Sequence, residues 1–207
     1  MLQLALAITL AGLAQDWNLE FEKGHTRVWS RRHGTGEVRE FRTESQLDHP
    51  PEQVWKLLQD PEYVSRIPYV AEYRVVKQLA PKIRMTYTRL DFPVIDDRDY
   101  FLESEIIAEG LEAEEGRFLQ RFRLSSELRP ARRGIVRVPV CEGHWELRPV
   151  DNGARTHATY VLRTDPGGLI PKWMADAANQ RALPGVMDSL AAELDRRAAA
   201  ALEARAR

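Results

Sequence analysis

The sequence predicts an α+β fold in which an antiparallel sheet is closed by one long C-terminal helix. Two β-like runs, Gly143 to Pro149 and Thr156 to Arg163, are followed at once by the chain-breaking Asp165-Pro166-Gly167-Gly168. From Leu169 to Arg205 the pattern turns helical, with Ile170, Trp173, Met174, Ala177 and Ala178 recurring at i, i+3, i+4, i+7 and i+8. A sheet that ends in one apolar-faced helix has the form of a cup with a lid.

The earlier elements follow from spacing and punctuation. Asp16 to Glu22 reads as a short helix, Thr26 to Arg32 as a strand carrying Val28 and Trp29, and Glu37 to Leu47 as another. Pro50-Pro51-Glu52 opens a helix, since proline is tolerated in a first turn; Val54, Trp55 and Leu58 share one face before Asp60-Pro61 stops it. Four strand-like runs come next, Glu72 to Leu79, Lys82 to Leu90, Arg98 to Ala108 and Arg117 to Leu128, separated by Pro, Gly or acidic turn residues; Gly134 to Val140 continues the meander. In the C-terminal helix Val186, Met187, Leu190 and Leu194 extend the stripe, and Pro184 should kink or restart it. No internal repeat or linker divides residues 15–207, which read as one domain.

Composition narrows the function classes. A chain of 207 residues that is 43% hydrophobic can bury a substantial core. Its net charge of −1 argues against nucleic acid as a partner, because phosphate binding relies on a basic excess. The single Cys141 excludes an intramolecular disulfide and any multi-cysteine metal site, and reads as a small buried hydrophobe. No Gly-x-Ser-x-Gly, His-Glu-x-x-His, P-loop or dinucleotide motif occurs, so no catalytic residues, metal ligands or cofactor are assigned. The five histidines lack metal spacing, and alternation puts His144 and His157 on an outward face. Asp96, Asp97 and Asp99 around Arg98 read as a turn with an ion pair.

Alternation nominates the inward side chains: Ile83, Met85 and Tyr87; then Arg98, Tyr100, Leu102, Ser104 and Ile106; then Phe118, Phe122 and Leu124. A solid core favours Leu, Ile, Val and Phe throughout. Arg98, Ser104 and Gln120 on this face therefore suggest a cavity with a few polar groups, although a solvated face has the same pattern.

Three segments carry a resemblance: Phe92-Pro93-Val94-Ile95-Asp96-Asp97-Arg98-Asp99-Tyr100-Phe101, Trp145-Glu146-Leu147-Arg148-Pro149, and Asp165-Pro166-Gly167-Gly168-Leu169-Ile170-Pro171-Lys172-Trp173. From about Trp17 to about Leu194 the chain resembles the START (StAR-related lipid transfer) family of the helix-grip, or SRPBCC, superfamily. The resemblance implies a curved antiparallel sheet wrapped around the C-terminal helix and enclosing a hydrophobic cavity. It also implies a monomer that binds, and transfers or senses, a lipid, sterol-like or acyl-chain molecule, with transient contact to a membrane surface. Trp173, Met174 and Ala177 would line the roof; with the alternation, the expected ligand-binding set is Met85, Tyr87, Arg98, Tyr100, Leu102, Ser104, Phe122, Trp173, Met174 and Ala177. Two departures stand out. Many members have Trp-Asp where this chain has Arg66-Ile67-Pro68-Tyr69, and the facing acid and base of sterol-handling members fall on Met85 and Ser104. A more apolar or acyl-chain ligand is then equally open. The rival readings are a helix-grip enzyme of cyclase or hydrolase type, with Arg98 and Tyr100 as its only acid/base candidates, and an interaction module whose groove holds a partner helix or a quinone-type cofactor.

Residues 1–14 hold the apolar run Leu2 to Leu10 followed by Gly12-Leu13-Ala14. The run is too short for a bilayer-spanning helix, which needs about 20 residues. Small residues three and one before a cut after Ala14 suit a secretory signal, placing the mature protein in the periplasm or cell envelope. The segment has no Lys or Arg, and an apolar helix that packs on the domain or anchors it, with the protein cytoplasmic, is the alternative. N-terminal sequencing from the native host should find Gln15 first; Met1 or Leu2 on soluble cytoplasmic protein would refute export.

Overall fold

The computed structural model describes residues 17–32, 38–93, 95–110, 116–127, 130 and 132–206; the expected signal segment lies outside them. Among the described residues ten strands form a single sheet: β1 (Asn18–Lys23), β2 (Thr26–Arg32), β3 (Arg39–Leu47), β4 (Val70–Ala80), β5 (Ile83–Leu90), β6 (Asp97–Ala108), β7 (Phe118–Leu124), β8 (Ile135–Arg137), β9 (Val140–Val150) and β10 (Arg155–Asp165). Their order is β1-β2-β3-β10-β9-β7-β6-β5-β4, antiparallel throughout, with β8 lying parallel to the start of β6. Among the described residues the α-helices are α1 (Pro51–Leu58), α2 (Pro61–Ser65) and the 34-residue α3 (Lys172–Arg205). The fold is thus the expected curved antiparallel sheet with a long C-terminal helix.

Local chemistry explains most boundaries. Pro51 stands in the first turn of α1, where its missing N–H costs nothing, and the Asp60 carboxylate caps α2 by accepting from the Glu62 amide at 2.9 Å. Gly24, at φ 59°, supplies the left-handed turn between β1 and β2. Where a helix was expected at Asp16–Glu22, the described residues from Asn18 onward form β1 instead. Phe21 packs with Val28 and Phe41, and Glu20 accepts hydrogen bonds from Ser30 and from Arg39 across the sheet, so tertiary pairing overrides a weak local preference. The run expected to continue the meander at 134–140 instead places the short strand β8 in the sheet as a parallel neighbour of the start of β6.

The concave face is divided between two uses. On one half, Val54, Trp55 and Leu57 of α1 pack with Phe118, Leu147 and Ala158 of the sheet and with Met187, Leu190 and Leu194 of α3, all buried. Trp55 and Phe118 meet with ring centroids 5.3 Å apart. Where a kink or restart was expected, α3 continues through Pro184 as one helix. Pro184 nevertheless has no N–H to give the Gln180 carbonyl, so a rung is absent just where the docked rear half meets the front half.

Charge pins that rear half. Arg197 bridges Asp60 at 2.6 Å and Glu193 at 2.8 Å, and Arg66 reaches Glu193 at 3.4 Å, tying α3 to α1 and α2. His49 adds a 2.8 Å contact to Asp195.

A second cluster lies on the outer face of the sheet. Met85, Tyr87 and Phe101 are buried there, with Tyr87 and Phe101 centroids 4.8 Å apart. The Asp99 carboxylate accepts from Arg137 at 2.6 Å and from the Tyr87 hydroxyl at 3.3 Å. Arg74 and Arg132 lie over the Tyr87 ring, at 4.8 and 5.3 Å from its centroid. Met85 and Tyr87, expected to point inward, thus face away from the concave side. The apolar alternation in β5 correctly signals burial, but the cover is Val76 and the side chains of Arg74, Arg132 and Arg137.

Two outcomes follow. Met85→Ala, at a fully buried site, should cost about 2–5 kcal/mol in denaturant unfolding and leave the concave side intact. Hydrogen bonds from Arg196 and then Arg197 hold the Glu193 carboxyl down at about 2, against an ordinary 4.5. The folded state then binds fewer protons than the unfolded chain between these values, so this contribution is complete above about pH 4.5 and fades as pH falls toward 2. Arg197→Ala should weaken the protein at neutral pH and flatten that acid decline; an unchanged slope would disprove the clamp.

Candidate ligand cavity

The half of the concave face that α1 and the rear of α3 leave uncovered is a cavity of about 510 Å³. That lies within the roughly 300–1,000 Å³ range of small-molecule sites. Its walls come from successive strands by the period-2 rule. β6 contributes Arg98, Tyr100, Leu102 and Ser104; β5 contributes Arg84, Thr86, Thr88 and Leu90. Gln120 and Phe122 come from β7, Cys141 and Trp145 from β9, and Tyr160, Leu162 and Thr164 from β10. Leu58 and Val64 close one side, and Met174, Ala175, Ala178 and Asn179 of the front half of α3 lie above.

Aromatic stacking builds the far wall. Trp145 and Tyr160 stack with centroids 4.2 Å apart, and Phe122 approaches Tyr160 at 6.1 Å. Gly143 makes room for this wall: a β-carbon there would fall 2.8 Å from the tip of the Phe122 ring and 1.9 Å from the Val161 carbonyl oxygen. Gln120 is fixed from α1, whose neighbour Gln59 donates to it at 3.0 Å.

Burial keeps the titratable wall groups neutral. Burial pushes the Tyr100 and Tyr160 phenols up, and it raises the Cys141 thiol to about 12, leaving that sulfur a neutral, unreactive wall atom. Among the described residues that line the cavity there are two arginines and no carboxylate.

Of the ten side chains expected to meet a ligand, the structure brings Arg98, Tyr100, Leu102, Ser104, Phe122 and Met174 to this cavity. Met85 and Tyr87 are on the opposite face, as described. On α3 the facing alanines are Ala175 and Ala178 rather than Ala177, one residue out of phase, and the Trp173 side chain lies outside the described part. Arg84, absent from the expected set, is the cross-strand partner of Ser104 and shares its face. The alignment that placed Met85 opposite Ser104 is therefore one residue out of register. Arg98 also differs from expectation. It makes no ion pair within the acidic turn: Asp97 pairs with Arg89 and Asp99 with Arg137, while Arg98 turns inward and is 3% exposed.

The cavity's lip is apolar and partly exposed. Tyr69 and Phe92 pack with centroids 5.1 Å apart, Ile95 and Met174 are 42% and 47% exposed, and Leu169 is fully exposed. Gly167 and Gly168, at φ 67° and 71°, form the joint between β10 and α3. No helix among the described residues is long and apolar enough to cross a membrane.

Comparison with known proteins agrees with this geometry. The chain is 26% identical, over 169 residues and 80% of each protein, to an uncharacterized protein of Pseudomonas aeruginosa. It is similar in structure to a STAR-related lipid transfer protein from Xanthomonas axonopodis, with a TM-score of 0.75, 26% identity, and coverage of 86% of this chain and 98% of that one. Human STARD10 shares the fold at a TM-score of 0.76 and 20% identity, covering 86% of this chain and 72% of that one. Residues 47–191 match the family described as polyketide cyclase / dehydrase and lipid transport, and with the cavity beneath a long C-terminal helix they place this protein in that family, on a START-type helix-grip fold.

Proposed function

We propose that this protein binds one hydrophobic molecule, a lipid, sterol-like or acyl-chain compound, in the cavity and carries or senses it without altering it. The observation that carries this reading is the unfilled half of the concave face. A sheet and helix of this size could close on a solid core, yet the front half of α3 spans a space of about 510 Å³ walled by aromatic and aliphatic side chains. The matched family includes lipid transport, and the Xanthomonas relative is named for lipid transfer.

The construction suits loading. The rear of α3 is held by Met187, Leu190 and Leu194 and by the Arg197 bridges, whereas the front half rests over the cavity between the glycine joint and the gap in the ladder at Pro184. Polar ties at Arg39–Asp176, 3.8 Å, and Gln180–Glu20 hold that half shut. Such surface contacts contribute about 1 kcal/mol or less each, so they permit opening. The exposed Ile95, Leu169 and Met174 give the lip a surface that a membrane can receive while ligand passes.

Purified protein extracted with solvent and analysed by mass spectrometry, in parallel with native mass spectrometry, should yield about one hydrophobic molecule per chain, recovered intact. Titration with fluorescent acyl lipids or sterols should saturate at the same ratio. Recovery of a chemically altered ligand would replace this reading with the cyclase or dehydrase activity that the family also includes, and failure to bind any hydrophobic molecule would refute it.

A further inference from the structure

A buried cation without a counter-ion among the described residues stands at one end of the cavity. Arg98 is 3% exposed; among the described residues its Nε has no hydrogen-bond partner, and its Nη1 donates to the backbone carbonyl of Asp96. No carboxylate among the described residues is paired with it, although the residues on either side, Asp97 and Asp99, are both carboxylates; they belong to the outer face and to Arg89 and Arg137. Its Nη2 faces the glycine joint, where a β-carbon on Gly168 would fall 3.5 Å away. Arginine stays protonated in proteins, so this charge cannot be relieved by losing a proton. Leaving a buried ion unpaired costs several kcal/mol, and buried charges are accordingly paired or bound to a ligand.

The surroundings sharpen the point. Ile95, Val138, Pro166 and Ile170 at this end offer no charge to answer the guanidinium. The helix α3 starts close by at Lys172, with no side chain capping its first turn, so its dipole adds positive potential at the same end. Two residues further along β6 the Tyr100 hydroxyl, with Thr88 across the strand, gives neutral hydrogen-bonding groups beyond the cation, and aromatic walls follow. The second arginine, Arg84, is half-buried beside Ser104, about 20 Å along the strand from Arg98 by the usual rise per residue.

We infer that the cavity selects an amphiphile with an anionic head, a carboxylate or a phosphate, seated on Arg98 with its apolar tail running along β6 toward the stacked Trp145 and Tyr160. This rests on the proposed binding function and specifies its ligand class. An anion on the Arg98 fork replaces the water lost on burial by charge-assisted hydrogen bonds, and in a dry site these are stronger than neutral ones. A neutral molecule of the same shape leaves the guanidinium unanswered.

Three ligands with one tail separate the possibilities: oleate, oleyl phosphate and neutral oleyl alcohol, each titrated below its aggregation concentration against delipidated full-length protein at neutral pH. One anion or both should bind about ten- to a hundredfold more tightly than the alcohol, which corresponds to one charged hydrogen-bonding site, and the tighter of the two names the head group. Arg98→Gln should abolish that preference while still binding the alcohol, which also reports that the variant is folded; Arg98→Lys should keep part of it. Arg123→Gln, on the exposed outer face, controls for net charge and should keep all of it. If wild-type protein binds the alcohol as tightly as the anions, the anion selection is refuted and the cavity reading stands. If Arg84→Gln loses the preference while Arg98→Gln retains it, the seat is wrongly assigned. If none of the three binds, the acyl-chain reading on which this inference rests falls with it.

Discussion

Docking of the rear half of α3 into the concave face is the interaction on which the remaining structure depends. Met187, Leu190 and Leu194 meet Val54, Trp55 and Leu57 and the sheet residues Leu147 and Ala158, and each burial of this kind contributes about 1.5–3 kcal/mol. That anchor fixes the helix axis, and the sheet's curvature then determines how far the front half stands from the strands below it. The cavity is thus a consequence of where the helix is held. It need not be stabilised by its own walls, which leaves the wall side chains free to be chosen for a ligand.

How far the site can be read from the sequence depends on what an alternating pattern reports. In β6 the inward set Arg98, Tyr100, Leu102 and Ser104 is legible because its outward neighbours Asp97, Asp99, Glu103 and Glu105 include four acids, so the two faces differ in kind. In β5 both faces are covered, and the more apolar one, Met85 and Tyr87, lies under Val76 and arginine side chains while the threonines and Arg84 face the cavity. Period-2 alternation reveals which residues share a face but not what covers it. Leu19 and Phe21 already alternate in β1, yet six residues give too little pattern to outweigh a helical reading before β2 is placed beside them. Contributions such as Gln59 on Gln120, or Tyr73 from β4, depend on how separate elements meet, and no local signal encodes them. The motif Asp165 to Trp173, by contrast, announces the joint and the helix start directly, because positive φ at Gly167 and Gly168 requires that residue type.

The charge arrangement of β6 shows how one strand serves two solvents. Asp99 and Arg98 are adjacent, both almost fully buried and of opposite sign, yet they do not pair, because successive side chains leave the strand on opposite faces. Asp99 is neutralised on the outer side by Arg137 of β8 and accepts a further hydrogen bond from the Tyr87 hydroxyl, so it ties β8 to β6 by a side-chain ion pair as well as by the backbone ladder. With its nearest acids committed there, Arg98 remains the unmatched partner on the inner side. The sheet itself therefore separates a structural ion pair from a charge held open, across one backbone.

A carrier also has to release what it binds. Withdrawing an acyl chain from water is worth about 0.8 kcal/mol per CH₂, but a bilayer offers the same, so on the carrier function proposed above the apolar walls would give protection in transit without net preference for protein over membrane. Discrimination must then come from groups that a membrane interior lacks. Trp145, Tyr160 and Phe122 shape the space, while fixed polar atoms such as Arg98, Tyr100 and Gln120 can distinguish one head group from another. Release in turn depends on parting the front half of α3 from β1 and β3, where it is held by the half-buried ties Arg39–Asp176 and Gln180–Glu20, with the core contact of Leu183 on Val28 and Phe41 coming only at its end, beside Pro184. Strong anchoring at Leu190 and weak closure at Asp176 and Gln180 are thus two requirements of a single helix, and Pro184 lies between them.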